Sequence, residues 1–144
     1  MTLLDMLARS AGRFPERPAL VFREHQLSYM RLQAEADRVG GLLRGLGVQP
    51  GGRIVLMLPN GPEFAIGYFG ILAAGATVVP LNPLLKAEEI RYVLEDSTAT
   101  AMVCVESTSS LLREARDGAK RPIPALLLGN ASSGCVAQGD VVAG

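Results

Sequence analysis

Apolar and polar positions along the chain fall into two periods. Tyr29, Leu32, Ala36, Val39, Leu42, Leu43 and Leu46 recur at helical spacing and give one apolar face. Residues 54–58, 77–79, 101–105 and 125–128 are short apolar runs, several of them β-branched, which predicts buried strands. Between these runs, Pro62 suits the first turn of a helix that ends near Gly75. Residues 88–96 form an amphipathic helix with Ile90, Val93 and Leu94 inward, and Ser107 is expected to cap a helix through Ala115.

The first quarter of the chain is punctuated differently. Thr2 caps a short helix carrying Leu3, Leu4, Met6 and Leu7. Residues 14–18, with two prolines, read as an extended connector. Residues 19–22 and 26–28 predict a small hairpin around Arg23-Glu24-His25, and Ser28 caps the long helix that follows. Gly45 and Gly47 stop that helix. Gly40 and Gly41 each cost it about 1 kcal/mol relative to alanine, which is tolerable where another backbone packs closely.

A hairpin followed by alternating helix and strand predicts an α/β fold: a mostly parallel sheet flanked by helices, with an N-terminal β-hairpin. The α/β subdomain is expected over residues 1–130. Residues 131–144 are small, mixed and aperiodic and read as a loose tail, with Val141-Val142 as the start of a strand.

One stretch, residues 64–85, carries no charge over 22 positions. It must be buried in a membrane or in a protein core. A spanning helix needs about 20 apolar residues without strong breakers. Gly75, Pro80, Asn82 and Pro83 interrupt this run, so a strand–helix–strand core unit is the better reading. Hydrophobic residues make up 49% of the chain, which excludes disorder. Formal net charge is zero, so nothing points to nucleic acid or to a polybasic membrane contact. Asp5 and Arg9 interrupt the N-terminal apolar residues, so no signal peptide is expected and the cytoplasm is the default location.

Candidate chemistry is sparse. Cys104 lies in an apolar run and reads as a buried, inert thiol; with Cys135 it makes no disulfide framework. His25, the one histidine, has no ligand cluster near it in sequence and reads as a turn residue. Glu88-Glu89 and Glu95-Asp96 share a helix with Lys86 and Arg91 and read as a solvated face. A dinucleotide site would need Gly-x-Gly-x-x-Gly after the first strand. Leu58-Pro59-Asn60-Gly61-Pro62 has one glycine there. The Pro62 helix presents an anion-friendly N-terminus, but Glu63 in its first turn already uses that field. The glycines at 67, 70 and 75 are expected to allow close helix–sheet packing.

In order and spacing, several pieces together resemble the N-terminal part of adenylate-forming acyl-CoA synthetases. They are Phe14-Pro15-Glu16-Arg17-Pro18-Ala19-Leu20, Leu27-Ser28-Tyr29, Leu58-Pro59-Asn60-Gly61-Pro62-Glu63-Phe64, Gly70-Ile71-Leu72-Ala73-Ala74-Gly75-Ala76 and Val79-Pro80-Leu81-Asn82-Pro83. The likeness spans residues 3–128. Asn82, where adenylation domains of peptide synthetases tend to carry aspartate, leans it toward acyl- and aryl-CoA ligases. The resemblance implies ATP-dependent activation of a carboxylic acid, a fatty acid among them, through an acyl-adenylate, then transfer to CoA as a thioester, with Mg2+ as the metal.

The family's Ser/Thr/Gly-rich lysine loop, ribose-binding acid and C-terminal lysine are not in these residues. Ser132-Ser133-Gly134 is followed by Cys135-Val136-Ala137, not by threonines, glycine and lysine. No catalytic, cofactor-binding or metal residue therefore carries over. The expectation is a truncated ligase fragment, catalytically incompetent alone, with ATP, Mg2+ and CoA belonging to the complete enzyme. The alternative is a non-catalytic binding module or inert remnant associating with a full-length relative. An uncovered strand edge and apolar face also lead us to expect self-association, or pairing with the missing part.

Overall fold

The computed structural model describes residues 2–120, 123–129 and 137–141. The elements run α1 (Leu3–Arg13), β1 (Pro18–Phe22), β2 (His25–Ser28), α2 (Tyr29–Gly45), β3 (Arg53–Met57), α3 (Pro62–Ala73), β4 (Thr77–Pro80), α4 (Ala87–Asp96), β5 (Ala101–Val105), α5 (Glu106–Asp117), β6 (Ala125–Leu128) and β7 (Ala137–Val141). β1 and β2 form an antiparallel hairpin of their own. The main sheet has the order β4-β3-β5-β6-β7. Its first four strands are parallel, and β7 runs antiparallel beside β6.

This is the α/β architecture that the alternating pattern predicts. Strand β3 explains it. Ile54, Val55, Leu56 and Met57 are all fully buried. Ile54 and Leu56 point into one core with α2 and α3; Val55 and Met57 point into a second with α4 and α5. A strand buried on both faces needs a helical layer on each side. The uncharged stretch is accounted for in the same way. It divides into α3, β4 and the following turn, and no helix among the described residues is long and apolar enough to cross a membrane.

Caps follow local chemistry. Thr2 Oγ1 accepts the Asp5 N–H at 3.1 Å, and an Asp5 carboxylate oxygen accepts the Thr2 N–H at 3.0 Å. The Thr2 backbone N–H first, and then the Thr2 side chain, hold the Asp5 carboxyl below its usual range. Ser28 Oγ accepts the Arg31 N–H at 3.1 Å at the start of α2.

Three details differ from the sequence expectations. The hairpin turn is Arg23-Glu24, with Arg23 at φ 57°, and His25 opens β2 opposite Phe22 instead of lying in the turn. Of the three glycines expected against the sheet, Gly67 alone faces it: an added Cβ would lie 2.8 Å from Leu56 Cδ1. Gly70 faces α2, where a methyl would overlap Val39 and lie 3.3 Å from the Ala36 carbonyl oxygen, and Gly75 is a turn residue beside Pro50. Residues 137–141, within the segment expected as tail, form β7; the rest of that segment lies outside the described residues.

The α2–α3 contact accounts for one of the paired glycines in α2. A Cβ on Gly40 would sit 2.9 Å from Ala73 Cβ, whereas one on Gly41 meets only the Arg44 guanidinium at 3.9 Å. Gly70→Ala should therefore destabilise by about 1–3 kcal/mol through overpacking. Gly41→Ala should instead be neutral or stabilise by up to about 1 kcal/mol. Urea unfolding of the two variants checks both, and equal effects would remove the close-approach explanation.

Candidate functional site

The carboxyl ends of β3, β5 and β6 lie at one end of the sheet. After β3 the chain crosses through α3 to β4 on one side; after β5 it crosses through α5 to β6 on the other. α3 belongs to one core and α5 to the other, so the two connections diverge between β3 and β5. A crevice opens at such a divergence because no crossover covers the strand ends there. Here it measures about 620 Å³.

Each wall comes from a strand end. The turn after β3 supplies Pro59 and Asn60 and the first turn of α3 supplies Glu63; the end of β5 supplies Val105 and the start of α5 Glu106 and Ser107; the end of β6 supplies Leu127 and Leu128, with Gly129 after it, and Phe22 reaches in from the hairpin. Gly61, the N-cap of α3, has φ 153° and ψ −175°, a region open essentially to glycine alone. A Cβ there would also lie 3.2 Å from a Glu63 carboxylate oxygen and 3.8 Å from the Phe22 ring.

Thr108 ties the two sides together. Its buried hydroxyl donates to the Met57 carbonyl at 3.0 Å and accepts the Val105 N–H at 3.2 Å. The expected cap, Ser107, is exposed at the crevice, and the N-cap position is Val105. Sequence reasoning missed Thr108 because the helix begins two residues earlier than the capping pattern suggested. Thr108, three residues after Val105, was the available signal.

The electrostatics are not those of a phosphate cradle. The N-termini of α3 and α5 both border the crevice, but each carries an acid in its first turn, Glu63 and Glu106. These carboxylates already occupy the positive helix ends, where an anion would otherwise bind. Among the described residues, no group of three or more His, Cys, Asp or Glu side chains is arranged to hold a metal ion. What the crevice offers is a mixed apolar, amide, hydroxyl and carboxylate lining.

The other candidates lie apart from it. Cys104 is buried in β5, and burial pushes its thiol up from 9.0 to about 11, so it is protonated near neutrality. Glu88 and Glu89 are exposed on α4, and Glu89 accepts the Lys86 N–H at 3.0 Å, capping its own helix. Ser132-Ser133-Gly134 and Cys135 lie outside the described residues.

Fold and crevice together define a doubly wound α/β unit. The family model described as "AMP-binding enzyme" matches residues 7–137, and the chain belongs to that family. Over 105 residues it is 35% identical to a long-chain-fatty-acid–CoA ligase of Bacillus subtilis (strain 168), covering 73% of this chain and 19% of that protein. It is 37% identical over 102 residues to tyrocidine synthase 3 of Brevibacillus parabrevis, covering 71% of this chain and 2% of that protein. The crystal structure of the anthranilate CoA ligase AuaEII in complex with anthranoyl-AMP superposes with a TM-score of 0.81 at 28% identity, over 88% of this chain and 24% of that one. The chain thus spans about one fifth of the curated ligase it matches.

Two measurements probe this end of the sheet. Thr108→Val should cost about 1–3 kcal/mol, because it leaves the Met57 carbonyl and the Val105 N–H without their partner. Ser107→Ala should stay within about 0.5 kcal/mol. Chemical denaturation compares them, and a silent Thr108→Val would remove the tie between the strands. Cys104 should resist Ellman's reagent at pH 8 in a folded Cys135→Ser background and react on unfolding. The stabilisation from keeping this thiol protonated is complete below about pH 9 and is lost as pH rises toward about 11. Rapid modification of the folded protein at pH 8 would contradict the assigned burial.

Proposed function

We propose that these residues are the N-terminal α/β subdomain of an ATP-dependent acid–CoA ligase, that its acid is a fatty acid, and that it works in the cytoplasm. The observation that carries the reading is the family match over residues 7–137, which runs through the crevice-forming strands β3, β5 and β6. The likeness to a long-chain-fatty-acid–CoA ligase supports the fatty acid, and Asn82 after β4 supports CoA as acceptor over a peptide-synthetase carrier. In such an enzyme ATP and the acid form an acyl-adenylate with release of pyrophosphate, and CoA then takes the acyl group.

Within that scheme residues 1–130 are scaffold and crevice wall, and residues 137–141 add β7 to the edge of the same sheet. Glu63 and Glu106 oppose a triphosphate at this end of the sheet, and the 144 residues carry no Ser/Thr/Gly-rich lysine loop. ATP, Mg2+ and CoA are held by other segments of a complete enzyme, and the chain alone does not catalyse.

ATP–pyrophosphate exchange with a panel of fatty and aryl acids tests this. The purified chain should give no acid-dependent exchange above background. Acid-dependent exchange would overturn the non-catalytic reading, and exchange with amino acids alone would also overturn the acid–CoA ligase assignment.

A further inference from the structure

Two helix faces on opposite sides of the sheet carry exposed apolar side chains beside charges of opposite sign. On one side, Tyr92 of α4 is 69% exposed, and Leu84, in the turn before that helix, is 87% exposed. Leu85, Glu88, Glu89 and Tyr92 border one shallow hollow of about 440 Å³. Glu88, Glu89 and Tyr92 follow each other at neighbouring positions on one helix face, and Asp96 continues it. Between residues 86 and 96 the acids Glu88, Glu89, Glu95 and Asp96 are set against Lys86 and Arg91. Arg91 is turned inward, its Nε donating to the Ala115 carbonyl at 3.0 Å.

On the other side lies α1. Leu7 and Ala11 face the core, while Leu3, 49% exposed, and Met6, 51% exposed, share the outer side with the exposed Arg9 and Arg13. Asp5 is the acid of this helix, and it is bonded to Thr2 in the capping box.

We propose that a second copy of this chain occupies the α4 face, with α1 of one copy seated on α4 of the next. Leu3 and Met6 meet Leu85 and Tyr92, and Arg9 and Arg13 lie opposite Glu88 and Glu89. Charge selects this pairing, because α1 on α1 or α4 on α4 would bring like charges together. The layer order fixes its consequence. α1 packs with the α2–α3 core and α4 with the α5 core, so each copy presents its two faces on opposite sides of the sheet. Such a head-to-tail contact does not close at a dimer but continues from copy to copy.

The sheet edge at β4 favours this route over strand addition. Thr77 and Leu81 donate to the Gly52 and Leu56 carbonyls of the β3 side, so the alternate residues, Val78 and Pro80, face outward. Pro80 has no N–H, which leaves Val78 as the outward donor of β4. The contact does not depend on the catalytic reading.

Sedimentation velocity from micromolar to millimolar concentration tests it. The mean mass should rise with concentration without a dimer plateau and fall in molar salt. Arg9→Glu with Arg13→Glu, and separately Glu88→Arg with Glu89→Arg, should each weaken association at least about tenfold. An equimolar mixture of the two variants should restore it, because reversed faces are complementary again. Circular dichroism confirms folding of each variant, and Tyr92→Ser serves as a milder probe that should lower association in the same direction. Three outcomes overturn the proposal: a wild type monomeric at every concentration, which leaves the α4 face to a different partner; a stable dimer plateau; or a variant mixture that stays monomeric.

Discussion

Strand β3 has no exposed inner residue, and the rest of the molecule is arranged around that constraint. Ile54 and Leu56 need one helical layer and Val55 and Met57 need another. The strand's backbone also needs a parallel neighbour on each edge, which β4 and β5 supply. Parallel neighbours cannot be joined by tight turns, so each connection must be a crossover, and the helices α3, α4 and α5 are those crossovers. The α2–α3 layer can come close because Gly67 receives Leu56 and Leu58 from the sheet while Gly70 receives Val39 from α2. A single helix thus contacts two layers through small residues on two of its sides.

The crevice is a by-product of the same arrangement. Crossovers that leave in opposite directions from β3 and β5 uncover the strand ends between them. Gly61 permits the sharp entry into α3, and Thr108 holds the β5 turn to the end of β3. The site is therefore preorganised by backbone geometry more than by its own side chains. Its acids, Glu63 and Glu106, serve the helix ends. Proteins of different function share similarity with this segment, a fatty-acid–CoA ligase and a peptide synthetase among them.

Much of the fold was legible because burial leaves a period in the sequence. The apolar runs at Ala101–Val105 and Ala125–Leu128 became β5 and β6 at those bounds, and the heptad-like spacing from Tyr29 became α2. Where sequence reading slipped, the deciding contact was distant along the chain. Gly70 packs against α2 and not the sheet, and Thr108, not Ser107, makes the bond that ties the start of α5 to Met57. The crevice was illegible for a related reason: it is made by three strand ends separated by many residues, and the Leu58–Phe64 piece after β3 does not encode which other ends it meets.

The sequence by itself determined the class of fold, the alternation of helix and strand, and the family resemblance. These depend on local periodicity and on prolines and glycines, whose effects act within a few residues. Only the tertiary structure decided which glycines face which layer, where the sheet diverges, that both helix ends at the divergence carry acids, and that α1 and α4 show opposite charges on opposite sides. Those are properties of surfaces assembled from remote segments, and no local pattern encodes which remote segments meet.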